Sequence, residues 1–391
     1  MVSMSKSIKI AVVGGAGHIG LPFSCLLQNN GFLVTIIDTN EDSLSKIKNK
    51  KPPFLEEGLE ENIKEALESG LNLSSDINDV EEQDFVIVTL GTSSNKEDVD
   101  NFNFIVNSII KKASINTKII LRSTIAINTC KGILSNELFI EKKLKLAYCP
   151  ERIAEGKSFQ EILLIPQIIG TNNGEDYKDF NELFKNLGVE ILNTNFENSE
   201  FVKLFSNTYR FTEFSLINEF YNIAKENQIN FEEIINLATK NYPRLENIPS
   251  IGLVGGPCLP KDTETFLNSY SQNNEVIRAF QKSHIKLIEN IIDNCINLFT
   301  NKIIIQLGIT FKPESDDIRD SQSLVINNLL KDKGFKVYVI DPYVEKTQLD
   351  FEIFKYKEVE DLTDNILITT NHKVFESYNL KEKKVYKIGY K

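Results

Sequence analysis

The order of apolar runs and mixed segments divides the chain into three stretches. Residues 8–13 (IKIAVV) form a continuous apolar run, which predicts a buried parallel strand. A glycine-rich turn follows, then a helical pattern to about Asn30 that Gly31 ends. LVTIID (33–38) predicts the second strand, so the chain opens with a βαβ unit. Further strands are predicted at FVIVTL (85–90), KIILRS (118–123) and LKLAYC (144–149), with helical patterns between several of them. Alternating strands and helices predict a parallel sheet covered on both faces. From about Glu197 to Thr300 the pattern turns helical. Long helices are predicted at Glu197–Gln228 and Asn274–Phe299, separated by a loop rich in glycine and proline (Pro243, Pro249, Gly252, Gly255, Gly256, Pro257, Pro260). Strands return at KIIIQLG (302–308) and KVYVID (336–341), with a helix near Ser321–Lys333 between them.

The first turn reads Gly15-Ala16-Gly17-His18-Ile19-Gly20, a G-x-G-x-x-G between a strand and a helix. Missing side chains let the backbone approach a pyrophosphate, and a helix N-terminus favours its charge. Asp38 ends the next strand. A carboxylate there accepts from ribose hydroxyls and repels a 2′-phosphate, so the expected cofactor is NAD. The last unit echoes the first, ending its second strand on Asp341, but it lacks the glycine spacing and predicts a different phosphate site. The fold class is therefore α/β. Two Rossmann-like, doubly wound parallel-sheet domains, 1–196 and 301–391, are joined by a central all-helical domain, 197–300.

Composition narrows the function. With 44 basic and 55 acidic residues the net charge is −11, which argues against a nucleic-acid or acidic-membrane surface while leaving room for a local anion pocket. No apolar stretch is long enough to span a bilayer, and residues 1–9 do not read as a signal peptide. Five dispersed cysteines (Cys25, Cys130, Cys149, Cys258, Cys295) without CxxC pairs suit a reducing, cytoplasmic setting. Three histidines and no His/Cys cluster predict no metal site.

Four further segments carry candidate chemistry. In Glu200–Arg210, Lys203, Asn207 and Arg210 share one helix face at i, i+4 and i+7. Phe201, Leu204, Phe205 and Phe211 cover much of the remainder. A lysine there is either a partly buried general base or part of a solvated polar face. In GGPCLPKDT (255–263), Cys258 has Lys261 and Asp262 close by, and a cation favours the reactive thiolate. The plain alternative is an inert small hydrophobe. In CPERIAEG (149–156), Glu151 and Glu155 offer acid–base groups and Arg152 an anion contact, or the segment is a salt-linked loop. Ser123 and Thr124 follow a strand end, within reach of a cofactor. Finally, Lys312 and Arg319 lie in LGITFKPESDDIR (307–319), suited to phosphate recognition or to a surface ion network.

GAGHIGLP, TLGT, RSTIAINT, CPERIAEG, EFVKLFSNTYR, GGPCLPKDT and FKPESDDIRDS together resemble the UDP-glucose/GDP-mannose dehydrogenase family, in the same order along nearly the whole chain. CPER and NTYR resemble the branch acting on UDP-N-acetylmannosamine and UDP-N-acetylglucosamine. Glu57 and Ser93 stand where the family carries proline. The resemblance implies a four-electron, NAD-dependent oxidation of a nucleotide-sugar C6 alcohol to the uronate, with UDP-N-acetylmannosamine favoured. It makes Lys203 the acid/base of the first step and Cys258 the nucleophile of a thiohemiacetal and thioester. Glu155 becomes the base of hydrolysis, Asp262 and Thr124 order water, and Asn207 with Lys203 stabilises the oxyanion.

The implied NAD contacts are Gly15, Gly17, His18, Ile19, Asp38, Thr92, Thr124 and Arg319, the last reaching across from the final domain. The implied nucleotide-sugar contacts are Arg152, Ile153, Lys203, Asn207, Arg210, Arg244, Gly255, Phe311 and Lys312. A homodimer through the central helices is implied, with Arg244 serving the neighbouring subunit. UDP-glucose and UDP-N-acetylglucosamine stand as alternative substrates. A two-electron hydroxyacid-type dehydrogenase explains the glycine turn and Lys203 but leaves Cys258 idle. A non-catalytic NAD-sensing descendant is the third reading, against which the retention of Lys203, Asn207, Cys258, Asp262 and Glu155 argues.

Overall fold

The computed structural model describes residues 8–92, 95–172, 174, 176–270, 272–299, 301–345 and 348–389. Ser93, most of the N-terminal segment and the domain limits expected at residues 1, 300 and 391 lie outside these. The chain forms two compact units, Met1–Phe205 and Ser206–Lys391.

The first unit is built on an eight-stranded sheet: β1 (Lys9–Val13), β2 (Leu33–Ile37), β3 (Asn72–Ser74), β4 (Phe85–Val88), β5 (Lys118–Leu121), β6 (Lys145–Tyr148), β7 (Gln167–Thr171) and β8 (Ile191–Asn195). Their order is β3-β2-β1-β4-β5-β6-β7-β8. The continuous apolar runs follow from burial on both faces. Ile10 and Val12 of β1 pack with Leu21, Phe23 and Leu27 in one core, while Ala11 and Val13 pack with Val106, Ile109 and Ile110 in another. Strand starts and ends fall within about a residue or two of the apolar runs, as is usual at element boundaries. One expectation fails: the sheet is not wholly parallel, because β7 runs antiparallel to β6. The segment 149–166 carries the short helix Ser158–Leu164 and re-enters beside the same end of β6, so the chain returns in the opposite sense.

In the second unit the sheet is β9 (Ile303–Leu307), β10 (Lys336–Ile340), β11 (Asn365–Ile368) and β12 (Lys384–Lys387), ordered β10-β9-β11-β12 and parallel throughout. Elements between 196 and 298 are all helical, so the two Rossmann-like sheets are joined by helices. The expected long helices are Phe196–Glu226 and Glu275–Leu298. The intervening loop is shorter than expected, because helices Phe231–Thr239 and Leu259–Ser269 occupy part of it. Pro260 suggests a breaker in sequence, yet it sits in the first turn, where no N–H donor is needed.

The two sheets repeat one wiring pattern at their ligand-facing ends. Gly14 N–H donates to the Ile37 carbonyl and Gly308 N–H to the Ile340 carbonyl; Thr89 and Thr369 donate to the carbonyls of Val13 and Leu307. Ala16 N–H donates to Asp38 Oδ2 at 3.0 Å, as Ile309 N–H donates to Asp341 Oδ2 at 2.8 Å. The echo between Asp38 and Asp341 is thus structural as well as sequential.

His284, on the Glu275–Leu298 helix, is buried edge-on to Phe211 with ring centroids 5.6 Å apart. Neither ring nitrogen has a hydrogen-bond partner among the described residues. Burial lowers its pKa from 6.5 to about 4. Between those values the unfolded chain binds the extra proton, so this contribution is complete above pH 6.5 and is lost as pH falls toward 4. We expect a loss of up to about 3 kcal/mol over that interval. Urea unfolding at stepped pH checks it: His284→Gln should flatten the slope, and an unchanged slope would refute the assignment.

Candidate active site

The glycines let the turn close tightly on its own backbone. A Cβ on Gly15 would lie 2.6 Å from the Val12 carbonyl oxygen, and one on Gly20 would lie 2.4 Å from that of Gly14. The helix Gly20–Asn29 starts directly after Ile19. Asp38 Oδ1 accepts from Asn40 N–H at 3.0 Å while Oδ2 holds the turn through Ala16. Each oxygen keeps acceptor capacity for a ribose hydroxyl. Gly15, Gly17, His18, Ile19 and Asp38 are therefore brought together in a cradle that fits a dinucleotide. At the ends of β4 and β5, Thr92 Oγ1 donates to the Thr124 carbonyl at 2.7 Å, joining two more expected cofactor contacts.

The loop after β6 meets this cradle. Glu155 Oε1 lies 3.2 Å from His18 Nδ1, and the His18 ring packs tilted against Phe54 with centroids 3.9 Å apart. The turn carrying Glu155 is held by buried Glu56. Its carboxylate accepts from Gly156 N–H, Ser158 N–H and Ser158 Oγ at 2.8, 2.8 and 3.0 Å. Glu151 has a different task. It pairs with buried Arg122, and its Oε1 accepts from the N–H groups of Arg152 and Ile153 at 2.7 and 3.0 Å. Arg122 also donates to Gln167 at 2.7 Å and lies 4.3 Å from the Phe23 ring centroid. Burial lowers its pKa from 12.5 to about 10. Arg152 donates to the Pro166 carbonyl at 2.5 Å, and partial burial lowers its pKa.

Lys203 is buried and its Nζ donates to the Glu151 carbonyl at 2.7 Å. The solvated-face alternative fails for Lys203, while Arg210 on the same face is exposed. The aromatic side is also split: Leu204 and Phe211 are buried but Phe201 and Phe205 are exposed. Neither Arg122 nor Glu56 stands out in sequence, because the partners they need lie 29 and 100 residues away.

In the second unit Asn207 Nδ2 donates to Asp262 Oδ2 at 2.6 Å, and Lys261 Nζ lies 3.4 Å from Asp262 Oδ1. Asp262 is fully buried, one turn into the Leu259–Ser269 helix, and its N–H donates to the Cys258 carbonyl. Cys258 is the N-cap residue of that helix and is exposed; Cys25, Cys130, Cys149 and Cys295 are buried. Burial pushes the thiols of Cys25, Cys149 and Cys295 up to about 12 and raises that of Cys130 as well. These four are poor nucleophiles.

The cysteine loop rests on the segment after β9. Gly256 N–H donates to the Asp320 carbonyl at 3.1 Å. Gly256 has φ +85°, and a Cβ on it would sit 2.5 Å from the Phe311 ring; one on Gly255 would lie 3.1 Å from Asp320 O and Gln322 N. Only glycine fits both conditions at Gly256. Lys312 Nζ lies 5.3 Å from the Phe311 centroid, and Arg319 grips Asp317 through Nε at 2.9 Å. Arg244 is exposed on the short Pro243–Leu245 helix, its guanidinium 5.5 Å from the Tyr242 ring centroid. Asp341, unlike Asp38, is buried and spent on internal donors, so the second sheet offers no equivalent ribose acceptor.

The glycine turn and Asp38 of the first unit form a cradle of the kind that holds NAD in dehydrogenases. Known proteins place the chain further. Profiles of the UDP-glucose/GDP-mannose dehydrogenase family match in order: the NAD binding domain over residues 8–188, the central domain over 197–291 and the UDP binding domain over 305–388. The chain belongs to this family, and is an NAD-dependent nucleotide-sugar dehydrogenase. It is similar to UDP-N-acetyl-D-mannosamine dehydrogenase of Methanococcus vannielii, with 30% identity covering 96% of this chain and 89% of the relative. Among solved structures it resembles UDP-D-ManNAc dehydrogenase of Pyrococcus horikoshii, with TM-score 0.86, 25% identity and coverage of 95% and 91%. It also resembles UDP-N-acetyl-mannosamine dehydrogenase of Staphylococcus aureus, with TM-score 0.84, 27% identity and coverage of 97% and 94%.

Proposed function

We propose that the chain oxidises UDP-N-acetylmannosamine at C6 to UDP-N-acetylmannosaminuronate in two steps through Cys258. The observation that carries the covalent route is the exposure of Cys258 at a helix N-terminus while the other four thiols are buried. The substrate reading rests on the relatives just named and on Arg152 and Arg210. NAD held in the glycine cradle would supply the hydride acceptor for each of the two oxidations, one NAD for each. Lys203 takes the proton of the C6 hydroxyl as the aldehyde forms. The Cys258 sulfur, as a thiolate at a helix N-terminus, adds to the aldehyde carbon. Asn207 and the now protonated Lys203 stabilise the resulting thiohemiacetal oxyanion. Loss of the second hydride gives a thioester. Glu155 draws a proton from water, ordered by Asp262 and Thr124, and hydrolysis releases the carboxylate and the thiol. A thiolate suits both halves because it adds readily and leaves readily.

In this reading, residues 1–196 hold NAD, 197–300 supply catalytic helices and 301–391 hold the nucleotide. Gly15, Gly17, His18, Ile19, Asp38, Thr92, Thr124 and Arg319 serve NAD; Arg152, Ile153, Arg210, Arg244, Gly255, Phe311 and Lys312 serve the sugar nucleotide. A panel of UDP- and GDP-sugars, read by NADH absorbance, tests it. The expected result is turnover of UDP-N-acetylmannosamine with two NADH per sugar. One NADH per sugar would favour the two-electron alternative; preference for UDP-glucose or UDP-N-acetylglucosamine would reassign the substrate.

We further propose a cytoplasmic homodimer through the central helices. Along the Phe196–Glu226 helix, Phe201, Phe205, Tyr209, Leu216, Phe220 and Ile223 are exposed. At 100° per residue they fall within an arc of about 100°, a continuous apolar stripe. A second copy presenting the same stripe would cover it. Light scattering should give twice the 44.5 kDa chain mass for the wild type and a monomer for Phe220→Asp with Ile223→Asp. A monomeric wild type would overturn the dimer.

A further inference from the structure

His372 is buried completely, and no step of the proposed chemistry uses it. It follows β11 and faces the segment that follows β9. Its Nδ1 lies 3.0 Å from Glu314 N, a backbone amide that can only donate, so Nδ1 is the acceptor and the proton sits on Nε2. Nε2 lies 3.2 Å from Asp341 Oδ2 and 3.2 Å from Thr310 Oγ1. Thr310 Oγ1 in turn donates to the Lys312 carbonyl at 2.9 Å. The imidazole therefore grips the 310–314 segment at both ends. Between the grips lie Phe311 and Lys312.

The grip opposes strain. Glu314 has φ +56°, a left-handed conformation that costs a non-glycine residue and persists only where neighbours enforce it. Its side chain is tied as well, accepting from Lys373 N–H and Tyr343 Oη at 2.8 Å each. Phe311 meanwhile supports Gly256, two residues before Cys258.

We propose that His372 is a positioning residue for nucleotide-sugar binding: as the Nε2–H tautomer it locks Thr310 and Glu314 and so fixes Phe311 and Lys312. This rests on the reading that Phe311 and Lys312 contact the nucleotide sugar, and Lys312→Ala tests that reading separately. The experiment compares His372→Gln, His372→Asn, Thr310→Val and Lys312→Ala in the full chain. It measures KM for UDP-N-acetylmannosamine and for NAD, together with calorimetric affinity for UDP. Asn places an acceptor near the Nδ1 position for the Glu314 amide; Gln reaches the Nε2 position and leaves that amide unpaired. Loss of one such bond changes affinity about tenfold. We expect His372→Gln to raise the sugar KM and weaken UDP about tenfold with the NAD KM unchanged, and Asn to restore much of the loss. Thr310→Val should raise the same KM severalfold. Equal losses for Gln and Asn would show that the ring only fills space, and a Thr310→Val enzyme with wild-type KM would break the relay; either result overturns the inference. A Lys312→Ala enzyme with unchanged sugar KM and UDP affinity overturns the underlying reading instead.

Discussion

Replacing Cys258 with serine is expected to lower uronate formation by at least about a thousandfold, with NAD affinity unchanged. The sulfur has two tasks in the proposed route. It must make the aldehyde tetrahedral so that a second hydride can depart, and it must then leave from the acyl carbon. A serine hydroxyl is not ionised near neutrality and is a poorer leaving group, so both tasks fail together. The first oxidation does not need the sulfur, so one equivalent of NADH per site should still form in a single turnover. Stopped-flow absorbance at the NADH band checks the burst, and mass spectrometry of quenched wild-type enzyme checks for a sugar adduct on Cys258. Wild-type turnover by the serine variant would exclude covalent catalysis. Cys25, Cys130, Cys149 and Cys295 supply the controls: all are buried, and their removal should act through packing alone.

The second large effect is structural. Arg122→Met should destabilise the first unit by about 3–5 kcal/mol, because it strands the buried Glu151 carboxylate without its partner. For a cooperative unit the size of Met1–Phe205 that corresponds to a fall in its Tm of roughly 10 °C. The double variant Arg122→Met, Glu151→Gln should recover part of the loss, since an uncharged pair costs less to bury than an unpaired charge. Urea unfolding of the single and double variants measures both. If Arg122→Met unfolds like the wild type, the pair is not a structural keystone. Activity should fall further than stability alone explains, because the Glu151 carbonyl receives Lys203 and the Glu151 carboxylate holds Arg152 and Ile153.

Much of the fold was legible because burial on both sheet faces leaves unbroken apolar runs. IKIAVV, FVIVTL and KVYVID each mark a strand to within a residue or two. Legibility stops where geometry depends on distant partners. The reversal of β7 depends on how segment 149–166 crosses the sheet edge, which apolar periodicity does not encode. Pro260 masked a helix because a proline looks the same in a loop and in a first turn. At the site, the glycine turn and Asp38 could be read locally, since their roles are set by neighbours in sequence. Cys258 could be read in part: its glycine- and proline-rich loop with Lys261 and Asp262 set it apart, but its exposure among five thiols depends on packing. Arg122, Glu56 and His372 were invisible for the same reason, each defined by contacts that the sheet order brings together.

The shared wiring of Asp38 and Asp341 bears on how such a chain changes over time. The two sheets hold the same scaffold at this end, yet Asp38 retains capacity for a visitor from outside, whereas Asp341 is absorbed into the architecture by Ile309, Tyr343 and His372. The two sheets thus use the same acid unequally. Variation at Asp38 reaches the choice of dinucleotide together with the turn it holds, whereas variation at Asp341 is answerable first to folding. Cofactor preference and nucleotide recognition can accordingly drift along separate mutational paths within a single polypeptide.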